Sequence, residues 1–325
     1  MRLSWRQLIK SKLRGKSTFF SVGIAFSAES VLLCVLQKNG DNIDWVLDAS
    51  FSHATWREQL ANYVQSNKLA NTDCYVTLTS HWYQLLQADQ PKVEEDEMYA
   101  SLAWPLKELL PSNTDYVYDY MTPPAQVAGQ SKLNVVAIPK KDIRNIANGV
   151  YEAQLKMRNI SIEETATIEL TPPSDDAVMT LVQEHGEEIV LNVVKNGEMY
   201  FTRRLKGFEN LGSFSEHELS MGITDSLCVQ IQRSMDYFES QLRQPPVRKV
   251  LLKLDTNLTD SLANQIQENM NLPVVNFEPE INCGPEFNFK MASFSCLGAA
   301  YTKQAKVLLE ATKKANTTKS EEVRT

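Results

Sequence analysis

The side chains with the strongest intrinsic chemistry in this 325-residue chain are five cysteines and four histidines. Cys34, Cys74, Cys228, Cys283 and Cys296 are dispersed with no C-x-x-C pair, and His53, His81, His185 and His217 show neither H-x-x-H nor H-E-x-x-H spacing. Thiolate and imidazole metal sites recur at such intervals, so no metal site is expected. An odd, scattered set of cysteines reads as reduced core residues of a cytosolic protein, not as a disulfide framework. There is also no G-x-S-x-G elbow, no P-loop and no informative Cys–His pairing. No catalytic residue is expected from these motifs.

Charge is the second source of chemistry. The chain carries 33 Lys and Arg against 40 Asp and Glu, a net charge of −7. Residues 1–16 run against that total, with Arg2, Arg6, Lys10, Lys12, Arg14 and Lys16 and no acid. The remaining body is therefore more acidic than the whole, which repels a phosphate backbone and excludes nucleic acid as the main partner. On a helical wheel Trp5, Leu8, Ile9 and Leu13 share a broad face opposite Arg6, Lys10 and Arg14. Such a segment suits peripheral contact with an anionic membrane surface, each cation contributing about 1 kcal/mol there; the alternative is a solvated tail. The acidic run Glu94–Glu97 reads as a solvated helix N-terminus, favoured by the helix dipole.

These residues must be positioned by a mixed α/β chain. Phe19–Leu36 is the longest apolar stretch, but it contains Glu29 and three serines and divides into two strands around a Ser-Ala-Glu turn. It predicts a hairpin, not a membrane span, and it lacks the cleavage site of a signal peptide. A cytoplasmic protein, peripheral to a membrane, is expected. Strands are expected at 19–26, 31–37 and 43–49, the last two joined by Lys38-Asn39-Gly40-Asp41. A helix over 54–67 and a strand over 74–79 follow. Helices over 82–87 and 98–110, strands at 116–121 and 133–138, a helix over 140–157 and a strand over 160–170 complete the first part. After Thr171-Pro172-Pro173 come strands at 177–183, 188–195 and 199–205, a long helix over 221–243, a strand at 250–254, a helix at 258–270 and an extended 273–277. A helix is expected over 292–312. The order β-β-β-α-β thus occurs twice.

Two such units, one carrying an inserted module, resemble the actin-like ATPase superfamily. Val22-Gly23-Ile24, the strand Tyr200-Phe201-Thr202-Arg203-Arg204 and the helix segment Ile231–Phe238 are similar to the PilM family, cytoplasmic actin-like components of type IV pilus machines. Within it the chain most resembles the branch serving the mannose-sensitive haemagglutinin (MSHA) pilus. The likeness implies an α/β actin-like fold of duplicated ribonuclease H-like units with a small inserted subdomain. It divides the chain into a basic segment 1–16, a first half 17–170 with the insert 82–157, a second half 171–290, a C-terminal helix 291–312 packing back on the first half, and a polar tail 313–325.

The resemblance also implies where a nucleotide would sit. The first hairpin turn of each half cradles phosphates, which assigns Gly23 and Ser27 in one half and Glu184 and Gly186 in the other. The family's Gly-Ile-Asp-aliphatic-Gly motif here reads Gly23-Ile24-Ala25-Phe26-Ser27. Ala25 lacks the carboxylate that orients magnesium-bound water, and Ser27 replaces a glycine that bares backbone N–H groups. The adenosine turn after Val250–Leu254 continues as Asp255-Thr256-Asn257 without glycine, and Gln230 stands where relatives often carry Glu. No hydrolysis and no required cofactor are expected, with weak ATP binding the residual possibility and an ATP-driven switch the alternative function. The expected role is a non-catalytic adaptor. It would capture the N-terminal cytoplasmic peptide of a PilN-like inner-membrane protein, MshJ in that system, between walls from 54–80 and 98–160. The assembly-platform ATPase complex is a second partner that the resemblance implies.

Overall fold

The computed structural model describes residues 17–302. The expected segments 1–16 and 313–325, and the distal part of 291–312, lie outside the described residues. β1 (Ser21–Phe26), β2 (Ser30–Asn39) and β3 (Asn42–Ser52) form an antiparallel meander, so the long apolar stretch is the expected hairpin. Its second turn pairs Asn39 with Asn42 and holds Gly40 at φ +60°, a conformation that costs glycine no Cβ clash. α1 (Trp56–Ser66) buries Trp56, Leu60 and Val64, and β4 (Asp73–Leu78) pairs parallel with β1.

The insert is a three-stranded antiparallel sheet with one helix. β5 (Gln84–Asp89), α2 (Met98–Leu109), β6 (Tyr116–Met121) and β7 (Lys132–Pro139) give the strand order β5-β7-β6. β5 corrects the helix expected over 82–87. Leu86 lies opposite Val135 and Ala88 opposite Leu133, and pairing with β7 decides a short apolar run that both periods fit. α2 buries Met98, Leu102 and Leu106 on that sheet.

α3 (Lys140–Glu152) stops before the expected 157, because Gln154 turns the chain at φ +64° into β8 (Lys156–Ile162). Set beside the expected insert 82–157, the sheet and α2 occupy 84–139, while Ile146 and Val150 of α3 join the first-half core with Trp56 and Leu60. The strand expected over 160–170 ends at Ile162 and gives way to α4 (Glu163–Leu170). Six of its eight residues are buried, so α4 has no polar face and carries no 3.6-residue signal.

The second half repeats the plan. β9 (Val178–Val182), β10 (Ile189–Lys195) and β11 (Glu198–Leu205) form the meander, followed by α5 (Thr224–Asp236), β12 (Lys249–Lys253), α6 (Thr259–Met270) and β13 (Val274–Asn276). The long helix expected over 221–243 is broken near its start, where Gly222 takes φ +115°, and widens over Tyr237–Gln241. The sheets run β14-β3-β2-β1-β4-β8 and β11-β10-β9-β12-β13, with β14 (Asn282–Cys283) added to the first. Apart from that edge, both follow one strand order.

α7 (Phe294–Ala300) is buried along its length and returns to the first half, packing with Ala25, Cys34 and Leu36. Cys34, Cys74 and Cys296 are buried as expected of core thiols, whereas Cys228 is half-buried and Cys283 exposed, a correction for those two. No helix among the described residues is long and apolar enough to cross a membrane.

Candidate functional site

Three sites stand out, two on the seam between the halves and one between the insert and the first half. The first is the pair of hairpin turns. Ser27 closes the β1–β2 turn on itself: its N–H and its hydroxyl both donate to the Ser30 carbonyl, at 3.0 and 2.9 Å. The Ser27 carbonyl accepts from Trp82 Nε1 at 3.2 Å. The backbone N–H of Ala28 donates to Glu187 Oε1 at 3.0 Å, and Thr79 Oγ1 donates to the same oxygen at 3.0 Å. A carboxylate of the second half therefore takes the donor of the first-half turn.

The β9–β10 turn is satisfied in the same way. Gly186, at φ +67°, donates its N–H to Asp255 Oδ2 at 3.1 Å, with His185 Nδ1 3.0 Å from that oxygen. Glu184 is buried and accepts from the Ser295 N–H at 2.8 Å and the Ser293 hydroxyl at 3.1 Å. It caps α7 and is spent on that contact. Gly23 lies inside β1 beneath α7, where a Cβ would meet the Cys296 carbonyl oxygen at 2.1 Å. Gln230 accepts from Arg203 Nη2 at 2.5 Å. Of the expected nucleotide residues, Ser27 and Glu184 line the inter-half cleft and, like Gly186 in the β9–β10 turn, have donors or acceptors engaged internally, while Gly23 faces a helix.

Beside these turns lies a cleft of about 630 Å³ whose lining includes Glu29, Asp48, Glu184, Asp255 and Glu286 against Lys253 and Lys290. Lys253 is buried and donates to the Gln183 carbonyl at 2.8 Å. This cleft is acidic, which disfavours a polyphosphate.

The second site was not legible beforehand. Arg204 Nη2, from β11, reaches Glu163 Oε1 at 2.5 Å and Glu164 Oε1 at 2.7 Å at the start of α4. The Tyr83 hydroxyl donates to Glu164 Oε2 at 2.5 Å, and the Ser80 N–H donates to Glu163 Oε1 at 2.9 Å. Burial raises the Glu163 carboxyl well above its usual range against the pull of Arg204, with Glu164 and Glu187 adding to the rise. Burial likewise raises Glu187, opposed by the Ala28 N–H. Burial works against the Arg204 charge, but Glu163 and Glu164 hold the guanidinium above its ordinary value. The available signals were an acid pair inside an apolar run and Arg203-Arg204 closing an apolar strand.

The third site is a groove of about 770 Å³ between the insert and the first half. Val117, Met121, Val136 and Ile138 form its insert wall, and Ile160, Ala166 and Ala299 contribute to the facing wall. Among the described residues β6 and β8 are each the outer strand of their sheet and both line it, so two backbone edges without a paired strand among those residues flank an apolar trough. On the rim the Tyr99 hydroxyl donates to Asp119 at 2.7 Å and is pushed up to about 12 by that bond.

No family model matches the chain, and no curated protein matches it in sequence. The solved structure of the PilM–PilN type IV pilus biogenesis complex is similar, with a TM-score of 0.63 at 14% identity over 87% of this chain and 98% of that one. The cytoplasmic domain of EpsL, an inner-membrane component of the type II secretion system of Vibrio cholerae, gives 0.50 at 9% identity over 87% and 95%. A Bacteroides thetaiotaomicron protein with an actin-like ATPase fold gives 0.48 at 11% identity over 84% and 94%. The repeated strand order and the likenesses to the PilM–PilN complex and to the EpsL cytoplasmic domain identify one fold. It is actin-like, with an inserted subdomain.

Proposed function

We propose that this chain is a non-catalytic scaffold of a type IV pilus assembly platform, of the MshI type that serves the MSHA pilus. It stands on the cytoplasmic face of the inner membrane and captures the N-terminal cytoplasmic peptide of a PilN-like protein, MshJ. One observation carries this reading: an apolar groove between insert and first half, flanked by β6 and β8, the outer strands of their sheets among the described residues. An extended peptide gains affinity from backbone pairing at such an edge and selectivity from apolar pockets beside it. The solved PilM–PilN complex supports the choice of partner.

A synthetic MshJ N-terminal peptide is expected to bind with micromolar affinity, about −8 kcal/mol, and to protect amides within 116–121 and 156–162. Val117, exposed on the groove wall, offers a variant that spares the core. Val117→Arg sets a charge in the trough and is expected to weaken binding at least about tenfold. Absence of protection anywhere, with the partner's full cytoplasmic segment present, would remove the adaptor reading.

The internally satisfied turns support the absence of catalysis. A bound triphosphate would have to displace Glu187 from Ala28 and Asp255 from Gly186, in a cleft rich in carboxylates. Calorimetric titration with Mg·ATP is expected to show no saturable heat up to millimolar nucleotide. A low-micromolar dissociation constant would instead support the ATP-driven switch.

A further inference from the structure

α4 has two working faces. Toward the second half, Glu163 and Glu164 hold Arg204, and the Glu164 carbonyl accepts from Asn192 Nδ2 at 3.2 Å. On its other side Thr165, Ala166 and Glu169 line the groove. α7 seats on the same helix so closely that a Cβ on Gly298 would lie 2.0 Å from the Ala166 carbonyl oxygen, and Gly298 and Ala299 also line the groove. An eight-residue helix fixed at both faces cannot shift at one without shifting at the other.

Arg204 itself is no part of the groove lining. Its Nη1 is buried with no partner among the described residues, so the guanidinium is held by its Nη2 contacts to Glu163, Glu164 and Tyr83. From this we infer that Arg204 is a positioning residue for the groove, acting through the Glu163–Glu164 pair from the opposite half of the molecule. The inference rests on the reading that the groove takes the partner peptide. Removing the guanidinium leaves the buried Glu163–Glu164 pair without its shared cation, and the pair then takes up a proton or shifts toward solvent, either of which changes how α4 is seated at the seam. The groove wall moves with it. In this way the docking of the two halves, which in an actin-like fold meet at a nucleotide, here sets a peptide site.

The test compares wild type, Arg204→Met, Arg204→Lys and the charge-neutral triple variant Arg204→Met/Glu163→Gln/Glu164→Gln, all in the full chain. Hydrogen exchange of 163–170 is measured with α1 as an internal control, and affinity for the MshJ peptide is titrated in parallel. Arg204→Met is expected to speed exchange across α4 at least about tenfold with α1 unchanged. The same variant should weaken peptide binding about fivefold or more, within the usual span of coupling between distinct sites. Lysine keeps the charge but not the shape of the contact, so Arg204→Lys should fall between. The triple variant should recover protection of α4 and most of the affinity, which simple loss of a stabilising ion pair does not anticipate. If Arg204→Met fails to fold, Arg204→Lys and the triple variant make the same comparison. Peptide affinities within twofold of wild type in these variants, with α4 exchange raised, would overturn the inference and leave the scaffold reading intact. A wild-type protein that binds no peptide would overturn both.

Discussion

Gly23→Ala is expected to destabilise the protein by about 3 kcal/mol or more, at or beyond the upper end for one added methyl group in a packed interior. The added Cβ would lie 2.1 Å from the Cys296 carbonyl oxygen and 3.0 Å from both the backbone nitrogen and the Cβ of Ala300. These are mainly backbone atoms of α7, so no rotamer change relieves the overlap. Nor can α7 step aside, because Phe294 through Ala300 are all buried and its far side rests on α4. Gly40→Ala supplies the control: it introduces the same methyl group at a turn with φ +60° and nothing within 4 Å, so it carries backbone strain alone, on the order of 1–2 kcal/mol. Urea melts should separate the two variants by at least about 1 kcal/mol. Equal losses would mean that α7 is not clamped on β1, and the packing argument would fail.

That glycine also illustrates what one-dimensional pattern carries and what it does not. The two β-β-β-α-β units were legible because their signals are local: Asn39-Gly40 and Asn196-Gly197 close hairpins between apolar alternations, and Trp56, Leu60 and Val64 recur at helical spacing. β5 was misread because Leu85-Leu86 satisfies both periods and β7, about 50 residues later, decides between them. α4 was misread because burial on nearly every side erases the polar face that announces a helix. Ser27 and Glu184 line the inter-half cleft, but the groups that engage these turns, Glu187 at Ala28, Ser295 at Glu184 and Asp255 at Gly186, are singled out by nothing in local spacing. The Arg204 cluster was hidden for the same reason. Tyr83, Glu163, Glu164 and Arg204 meet only after the halves dock, and each alone reads as an ordinary residue of a strand or helix end.

The buried carboxylates lead to an expected pH dependence opposite to that of most acidic proteins. Glu163 and Glu187 have folded-state affinities for protons raised above the unfolded value by burial. A group of this kind retains its proton in the folded chain after the unfolded chain has released it. Stability therefore falls as pH rises from the ordinary carboxylate range, near 4.5, up through the folded-state values. The slope is at most about 1.4 kcal/mol per pH unit for each proton retained. Exposed acids act the other way. Asp260 is lowered by its bonds to Lys290 and Asn276 and Glu209 by the Gly207 N–H, contributions lost only below the ordinary range and weakened by solvent. The two buried acids therefore pull stability down as pH rises above the ordinary carboxylate range. Glu187→Gln isolates one proton's share, because the amide oxygen still accepts from Ala28 and Thr79 while its nitrogen replaces Oε2, which has no partner among the described residues. Urea melts of the variant and wild type should coincide below the ordinary carboxylate range and diverge as pH rises above it, with the variant the more stable at the higher pH. Parallel curves across that rise would show that Glu187 ionises freely in the folded state, and the buried contact at the first hairpin turn would then have to be hydrated.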